Sequence, residues 1–241
     1  MTLTKIGCCG FSTAREKYFR EFSVVEIQQT FYNLPRLSTA ERWRREAPHG
    51  FEFTAKAWQL ITHEPTSPTY RRLKPAIEPK KRQHYGSFKP TDEVMRAWGE
   101  FHTFARNLRV EKVIFQCPAS FRSTPENKKN LFAFFDSIDR SGITCIWEPR
   151  GEWREDEIRE LCAEGSLVHC ADPFQSRPVA DNIRYYRLHG LTGYRYHYTQ
   201  TDLKNLLDKL DIQLPTYVMF NNASMFEDAK RFQQMLTHAR Q

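Results

Sequence analysis

Residues 112–148 read KVIFQCPASFRSTPENKKNLFAFFDSIDRSGITCIWE. The outer runs, KVIFQC at 112–117 and ITCIWE at 143–148, are short, rich in β-branched and aromatic residues and bounded by turn residues, which predicts two buried strands. Between them TPENKKNLFAFFDSI is amphipathic and opens on a Thr with an acid close behind, the chemistry of a helix start. Strand, helix and strand in that order form a crossover unit, and a crossover joins parallel strands.

The same alternation extends both ways along the chain. Further strands are expected at TKIGCC (4–9), SVVEIQ (23–28), FEFTAKA (51–57), SLVHCA (166–171), IRYYRLH (183–189) and TYVMFN (216–221). Helices are expected at STAERWRREA, with Ser38 as a candidate cap, and at TDEVMRAWGEFHTFARNL, WREDEIRELCAEG, TDLKNLLDKL and SMFEDAKRFQQMLTHA. The first crossover holds only a short helix at about 14–19, and the connection at 173–182 is thin. Eight strands with mostly helical crossovers favour an α/β fold, a single (β/α)8 TIM-type barrel, and 241 residues suffice for one such domain across 1–241. No GxGxxG follows the first strand and no GxxxxGK[ST] occurs, so a dinucleotide fold or a P-loop loses its usual support.

The formal charge of +7 favours an anionic partner, either a small molecule or nucleic acid. Part of the excess is local: residues 70–89, YRRLKPAIEPKKRQHYGSFK, carry seven Lys and Arg against the single acid Glu78. They fall in a long basic βα loop at about 64–90, which on a barrel lies over the working face and is either a solvated surface or an anion-binding lid. The opening residues hold no apolar run behind a basic start, and no stretch approaches the roughly 18 apolar residues of a membrane span, so a cytoplasmic protein without membrane attachment is expected. Oligomeric state is not legible.

Barrel chemistry sits at the carboxyl ends of the strands. There the sequence places Glu26 with Gln28, Lys56 with His63 beyond it, Gln116, Glu148 with Arg150, Asp172, Arg187 with His189, and Asn221 with Asn222. Charges this close to an apolar interior must pair with one another, with water or with a ligand, so the set is either a site or an ion-pair network that closes the barrel top. As a site, Glu26, Glu148 and His189 are the candidates for acid–base or metal work, while Lys56, His63, Arg150, Arg187, Asn221 and Asn222 would bind substrate. In RLHG, Gly190 would let a ligand approach the backbone. Tyr85, Phe88, Tyr194, Tyr196 and Tyr198 are candidates for stacking on bases.

The strings IGCCGF, VVEIQQTFYNLP, FEFTAKAWQLITH, VIFQCPASF, WEPRGEW, YYRLHG and YVMFNN, in this order, resemble the domain-of-unknown-function-72 (YecE-like) family over essentially the whole chain. The resemblance implies a TIM-type barrel related in shape to endonuclease IV-like and xylose isomerase-like barrels, with no firmly established family activity. The motif polar groups it carries over are Glu26, Thr30, Tyr32, Lys56, His63, Gln116, Glu148, Arg150, Arg187, His189, Asn221 and Asn222. The chain departs from the family pattern at Cys8, Cys9 and Cys117, and Cys170 adds another strand-end thiol. If Cys9, Cys117 and Cys170 converged, they would suit zinc or an iron–sulfur cluster; otherwise they are small buried hydrophobes.

Three functions follow as alternatives. The first is an enzyme, hydrolytic or lyase-like, acting on a phosphorylated or nucleic-acid-like anionic substrate, with a divalent metal as a candidate cofactor. The second is a non-catalytic nucleic-acid-binding protein, and the third a thiol-ligated metal or iron–sulfur protein.

Overall fold

The computed structural model describes residues 4–179, 182–210 and 213–239. Eight parallel strands close in sequence order, with β8 pairing back onto β1. They are β1 (Thr4–Cys8), β2 (Val24–Ile27), β3 (Glu52–Lys56), β4 (Lys112–Gln116), β5 (Thr144–Glu148), β6 (Val168–Ala171), β7 (Arg184–Leu188) and β8 (Thr216–Phe220). Each lies inside the run predicted for it. The (β/α)8 barrel expected from the sequence is thus present, and no helix among the described residues is long and apolar enough to cross a membrane.

The surrounding helices are α1 (Arg15–Glu21), α2 (Gln29–Tyr32), α3 (Leu37–Glu46), α4 (Gln59–Thr62), α5 (Asp92–Leu108), α6 (Pro125–Ser137), α7 (Glu155–Glu164), α8 (Gln200–Lys209) and α9 (Met225–His238). Thr91, Thr124 and Thr199 cap α5, α6 and α8 by accepting a hydrogen bond from the backbone of the third helical residue, as their positions predict. Ser38 does not cap. Helix α3 starts one residue earlier, at Leu37, behind Arg36, whose side chain makes no cap bond. The single turns α2 and α4 were not expected from sequence, because four residues are too few to show a helical period. The connection at 173–182 carries no helix among its described residues.

Alternation along each strand divides the core in two. Cys9, Val24, Ile114, Ile146, Val168, Cys170, Tyr185, Tyr217 and Met219 fill the barrel interior. The other face of the strands packs against the helices through an aromatic-rich layer that includes Phe53, Phe115, Trp147, Phe134 and Phe135. At the amino end of the barrel Glu52 closes the interior, taking ion pairs from Lys5 and Lys112 and a 2.6 Å hydrogen bond from the Tyr217 hydroxyl.

The long loop after β3 contains two 3-10 turns, Pro68–Arg72 and Pro79–His84. Its two ends are pinned. Tyr70 Oη donates to the His63 carbonyl (2.8 Å), Ser87 Oγ donates to Glu64 (2.8 Å), and Phe88 is fully buried among Phe115, Phe121, Phe134 and Phe135. Between the pinned ends Arg71, Arg72, Lys74, Lys80, Lys81 and Arg82 are exposed.

Candidate active site

The period of two that places Val24, Thr54, Ile114, Ile146 and Tyr185 inside the barrel places Glu26, Lys56, Gln116, Glu148 and Arg187 one layer higher on the same faces. A ring of polar side chains therefore stands on an apolar floor at the carboxyl end. Registers agree: Gln116 is level with Glu148 across β4 and β5.

Arg187 is the hub of the ring. It is 1% exposed, with Nη2 2.9 Å from Glu26 Oε1, Nη1 against Glu148 Oε2, and Nη1 donating to Gln116 Oε1 at 3.4 Å. Glu26 is further held from below, where Tyr185 Oη donates to its Oε2 (2.8 Å) and also contacts Thr54 Oγ1 (2.8 Å). Gln28 Nε2 donates to Glu26 Oε1 from above. Glu148 Oε1 takes Arg150 Nε at 2.8 Å and His189 Nε2 at 3.2 Å. Asn221 Nδ2 lies 3.0 Å from His189 Nδ1, so the imidazole is fixed at both nitrogens, and Arg150 Nη2 also lies against the ring.

The charge states follow from these contacts. Burial alone would raise the Glu148 carboxyl, but Arg187, then Arg150 and His189, hold it well below the usual carboxylate range. Burial pushes Arg187 down, yet Glu148 and Glu26 return it well above its ordinary value. His189 is lowered by burial despite its bond to Glu148, and is neutral at pH 7. Burial, then Lys56 and Arg150, lower His63 to about 3, leaving a neutral ring whose Nδ1 meets Thr62 Oγ1 at 2.8 Å. Burial raises Asp172, which accepts bonds from the Phe174 and His189 backbone N–H groups.

Lys56 differs from its neighbours. It is 7% exposed, its carbonyl accepts from Thr30 Oγ1 at 2.7 Å, and its Nζ sits 3.6 Å from the centroid of the Phe31 ring, with no hydrogen bond or ion pair to that amine among the described residues. The carboxylates that could pair with it are committed to Arg187 and Arg150. Burial, with Arg187 adding to it and Glu148 and Glu26 opposing, lowers its pKa from 10.5 to about 7.

Comparison with known proteins agrees with this barrel. The model of the family described as protein of unknown function DUF72 matches residues 11–241. The chain belongs to the DUF72 family. It is 24% identical to the UPF0759 protein YunF of Bacillus subtilis (strain 168) over 92% of this chain and 84% of that protein. A DUF72 family protein from Enterococcus faecalis V583 superposes with a TM-score of 0.75 at 18% identity, covering 98% of each chain. A xylose isomerase domain containing protein from Salmonella typhimurium LT2 gives a TM-score of 0.60 at 14% identity over 100% of this chain and 98% of that one, a likeness of fold.

Within this DUF72 barrel the sequence-predicted residues separate into two groups. Glu26, Glu148, Arg150, Arg187, His189 and Asn221 belong to one connected cluster, with Lys56 beside it over the Phe31 ring and His63 against the same ring. Asn222 does not belong to it. Its Nδ2 donates to the Tyr196 carbonyl and to Asp228, both at 2.7 Å, which ties the loop after β7 to α9. The thiols do not converge: Cys9 and Cys170 face the barrel interior, whereas Cys117 faces the helical layer and its Sγ accepts from Trp147 Nε1 at 3.2 Å. Odd and even positions of a strand point to opposite faces, and Cys117 shares the face of Phe115, not that of Gln116. No group of three or more His, Cys, Asp or Glu among the described residues is arranged to hold a metal ion.

Two further expectations are corrected. Phe88 and Tyr198 are fully buried and unable to stack on bases. Gly190 is needed by the protein itself: at φ +85° an added Cβ would lie 2.3 Å from the Gly193 carbonyl oxygen and 2.6 Å from Tyr196 Cβ. Gly190→Ala is therefore expected to lose about 2–3 kcal/mol in denaturant unfolding and to disturb the adjacent His189. Phe31, Thr54 and Tyr185, which the strand-end reading did not single out, support Lys56 and Glu26. The parity of Tyr185 with Arg187 was the available signal.

Proposed function

We propose that this chain is an enzyme that performs proton-transfer chemistry on a small anionic substrate, of the phosphorylated kind, at the carboxyl-end mouth of its barrel. The observation that carries this reading is Lys56, a nearly buried amine over the Phe31 ring that has no ion pair among the described residues, inside a ring whose other charges are paired. A structural network would pair that cation; a site leaves it for the substrate. With its pKa near 7, Lys56 gives or takes a proton close to neutral pH. Arg150, at the rim with its side chain 35% exposed, uses Nε and Nη2 on Glu148 and presents Nη1 to an anionic oxygen. Glu148 positions Arg150, Arg187 and His189, and Arg187, 1% exposed and ion-paired to both Glu26 and Glu148, serves as the frame of the mouth. The oxygens of Glu26 and Glu148 are occupied in the same way, which argues against a divalent metal between them.

A thermal-shift screen of small phosphorylated compounds, followed by calorimetry on the best binder, tests the reading. Arg150→Gln is expected to weaken binding about 10- to 100-fold, the loss of a charged hydrogen bond. Removing the charges of the exposed Lys80 and Lys81 should change it little. The opposite pattern, with binding of a single-stranded oligonucleotide that falls steeply with salt and depends on Lys80 and Lys81 but not Arg150, would contradict it and favour a nucleic-acid-binding role.

A further inference from the structure

We propose that Lys56 is a nucleophile that forms an imine with the carbonyl carbon of a small aldehyde or ketone, the anionic group of the same molecule being held by Arg150. This rests on the reading of the mouth given above and names its substrate class. Four features of the surroundings support it. The amine is nearly buried and stands at the end of β3, on the polar layer of the barrel. Its stem is braced, with Nζ over the Phe31 ring, and Phe31 in turn meets the edge of His63 at 4.8 Å between centroids. Among the described residues no carboxylate is within ion-pair distance, so no ion pair there has to be broken before the lone pair can attack. The charged groups around it, Arg187 on β7, Arg150 beyond β5, Glu148 on β5 and Glu26 on β2, together with burial, leave a large neutral fraction near pH 7.

The chemistry balances without a co-reactant. The Nζ lone pair forms the C–N bond as the C=O π pair moves onto oxygen. Both N–H protons then pass to that oxygen, which leaves as water as the C=N bond closes. An imine at this position withdraws electrons from the neighbouring carbon, which is the step that proton abstraction or carbon–carbon cleavage next to a carbonyl requires.

The test uses the full chain with two aldehydes, neutral glycolaldehyde and anionic glyoxylate, each trapped by borohydride near pH 7 and read by intact mass and peptide mapping. One adduct per chain on Lys56 is expected, absent in Lys56→Arg, with glyoxylate reacting at least 10-fold faster than glycolaldehyde and Arg150→Gln abolishing that preference. Labelling spread over exposed lysines such as Lys80 and Lys81, with Lys56 no faster than they are, overturns the imine. If that result accompanies Arg150-dependent phosphate binding, the imine fails and the anion-binding mouth stands. Fast labelling of Lys56 by both aldehydes alike, with no effect of Arg150→Gln, keeps the imine and sinks the anionic-substrate reading.

Discussion

Arg187→Ala is expected to lose about 3–5 kcal/mol of folding stability at pH 7, a large share of the roughly 5–15 kcal/mol a domain has. The guanidinium is buried between Glu26 and Glu148, and without it two carboxyl groups face each other across an apolar floor. The pH dependence separates this cause from simple loss of packing. In the native protein the Glu148 pKa is depressed, so its contribution is present above its ordinary value of 4.5 and is lost as pH falls through the lower folded value. In Arg187→Ala burial is no longer opposed by the hub, a carboxyl retains its proton above the ordinary range, and stability should instead rise as the solution is made mildly acidic. Urea unfolding at several pH values reads both slopes. A variant with native pH dependence would show that the carboxylates are solvated rather than neutralised by Arg187. Glu26→Gln combined with Arg187→Met should recover part of the loss, because it removes charge from both sides of the pair.

Lys56→Met is expected to do the reverse: abolish activity and raise stability. A lysine whose pKa is about 7 when folded and 10.5 when unfolded binds fewer protons in the native state across that interval. Native stability therefore increases as pH rises from about 7 toward 10.5 and is lowest at and below 7, where burial of the protonated amine costs on the order of 4 kcal/mol. Methionine fills a similar volume over Phe31 without that cost. The variant should thus unfold at higher urea concentration than the native protein at pH 7, by a few kcal/mol, and the alkaline rise in stability should disappear. Equal or lower stability of Lys56→Met at pH 7 would mean that the amine has a partner, and Lys56 would then belong to a structural network.

The sequence carried the barrel through local signals that do not depend on tertiary context. KVIFQC, ITCIWE and the other six runs each contain one observed strand, and trimming amounts to a residue or two at the ends, where backbone pairing stops before the apolar run does. The polar ring was legible because Glu26, Lys56, Glu148 and Arg187 stand at strand ends, where a charge needs a partner or a purpose. The thiol cluster was misread for a specific reason. Adjacency to the barrel mouth along the sequence says nothing about which face a side chain takes, and Cys117 stands one position beyond Gln116, on the opposite face. Asn222 was misassigned in the same way, since Asn221 turns toward His189 while Asn222 turns toward α9. Pairing within the ring was beyond sequence: only the closed barrel shows that Arg187 spans β2 and β5 and that the Lys56 amine has no ion pair among the described residues.

The decisive quantity is the ionisation of Lys56. A pH titration of its side-chain 13Cε and 15Nζ resonances, assigned by comparison with Lys56→Arg, measures it without knowledge of any substrate. Titration near pH 7 is the predicted result and would identify Lys56 as the uncommitted amine of the mouth; titration near 10.5 would contradict the account and reduce the polar ring to an ion-pair network that closes the barrel.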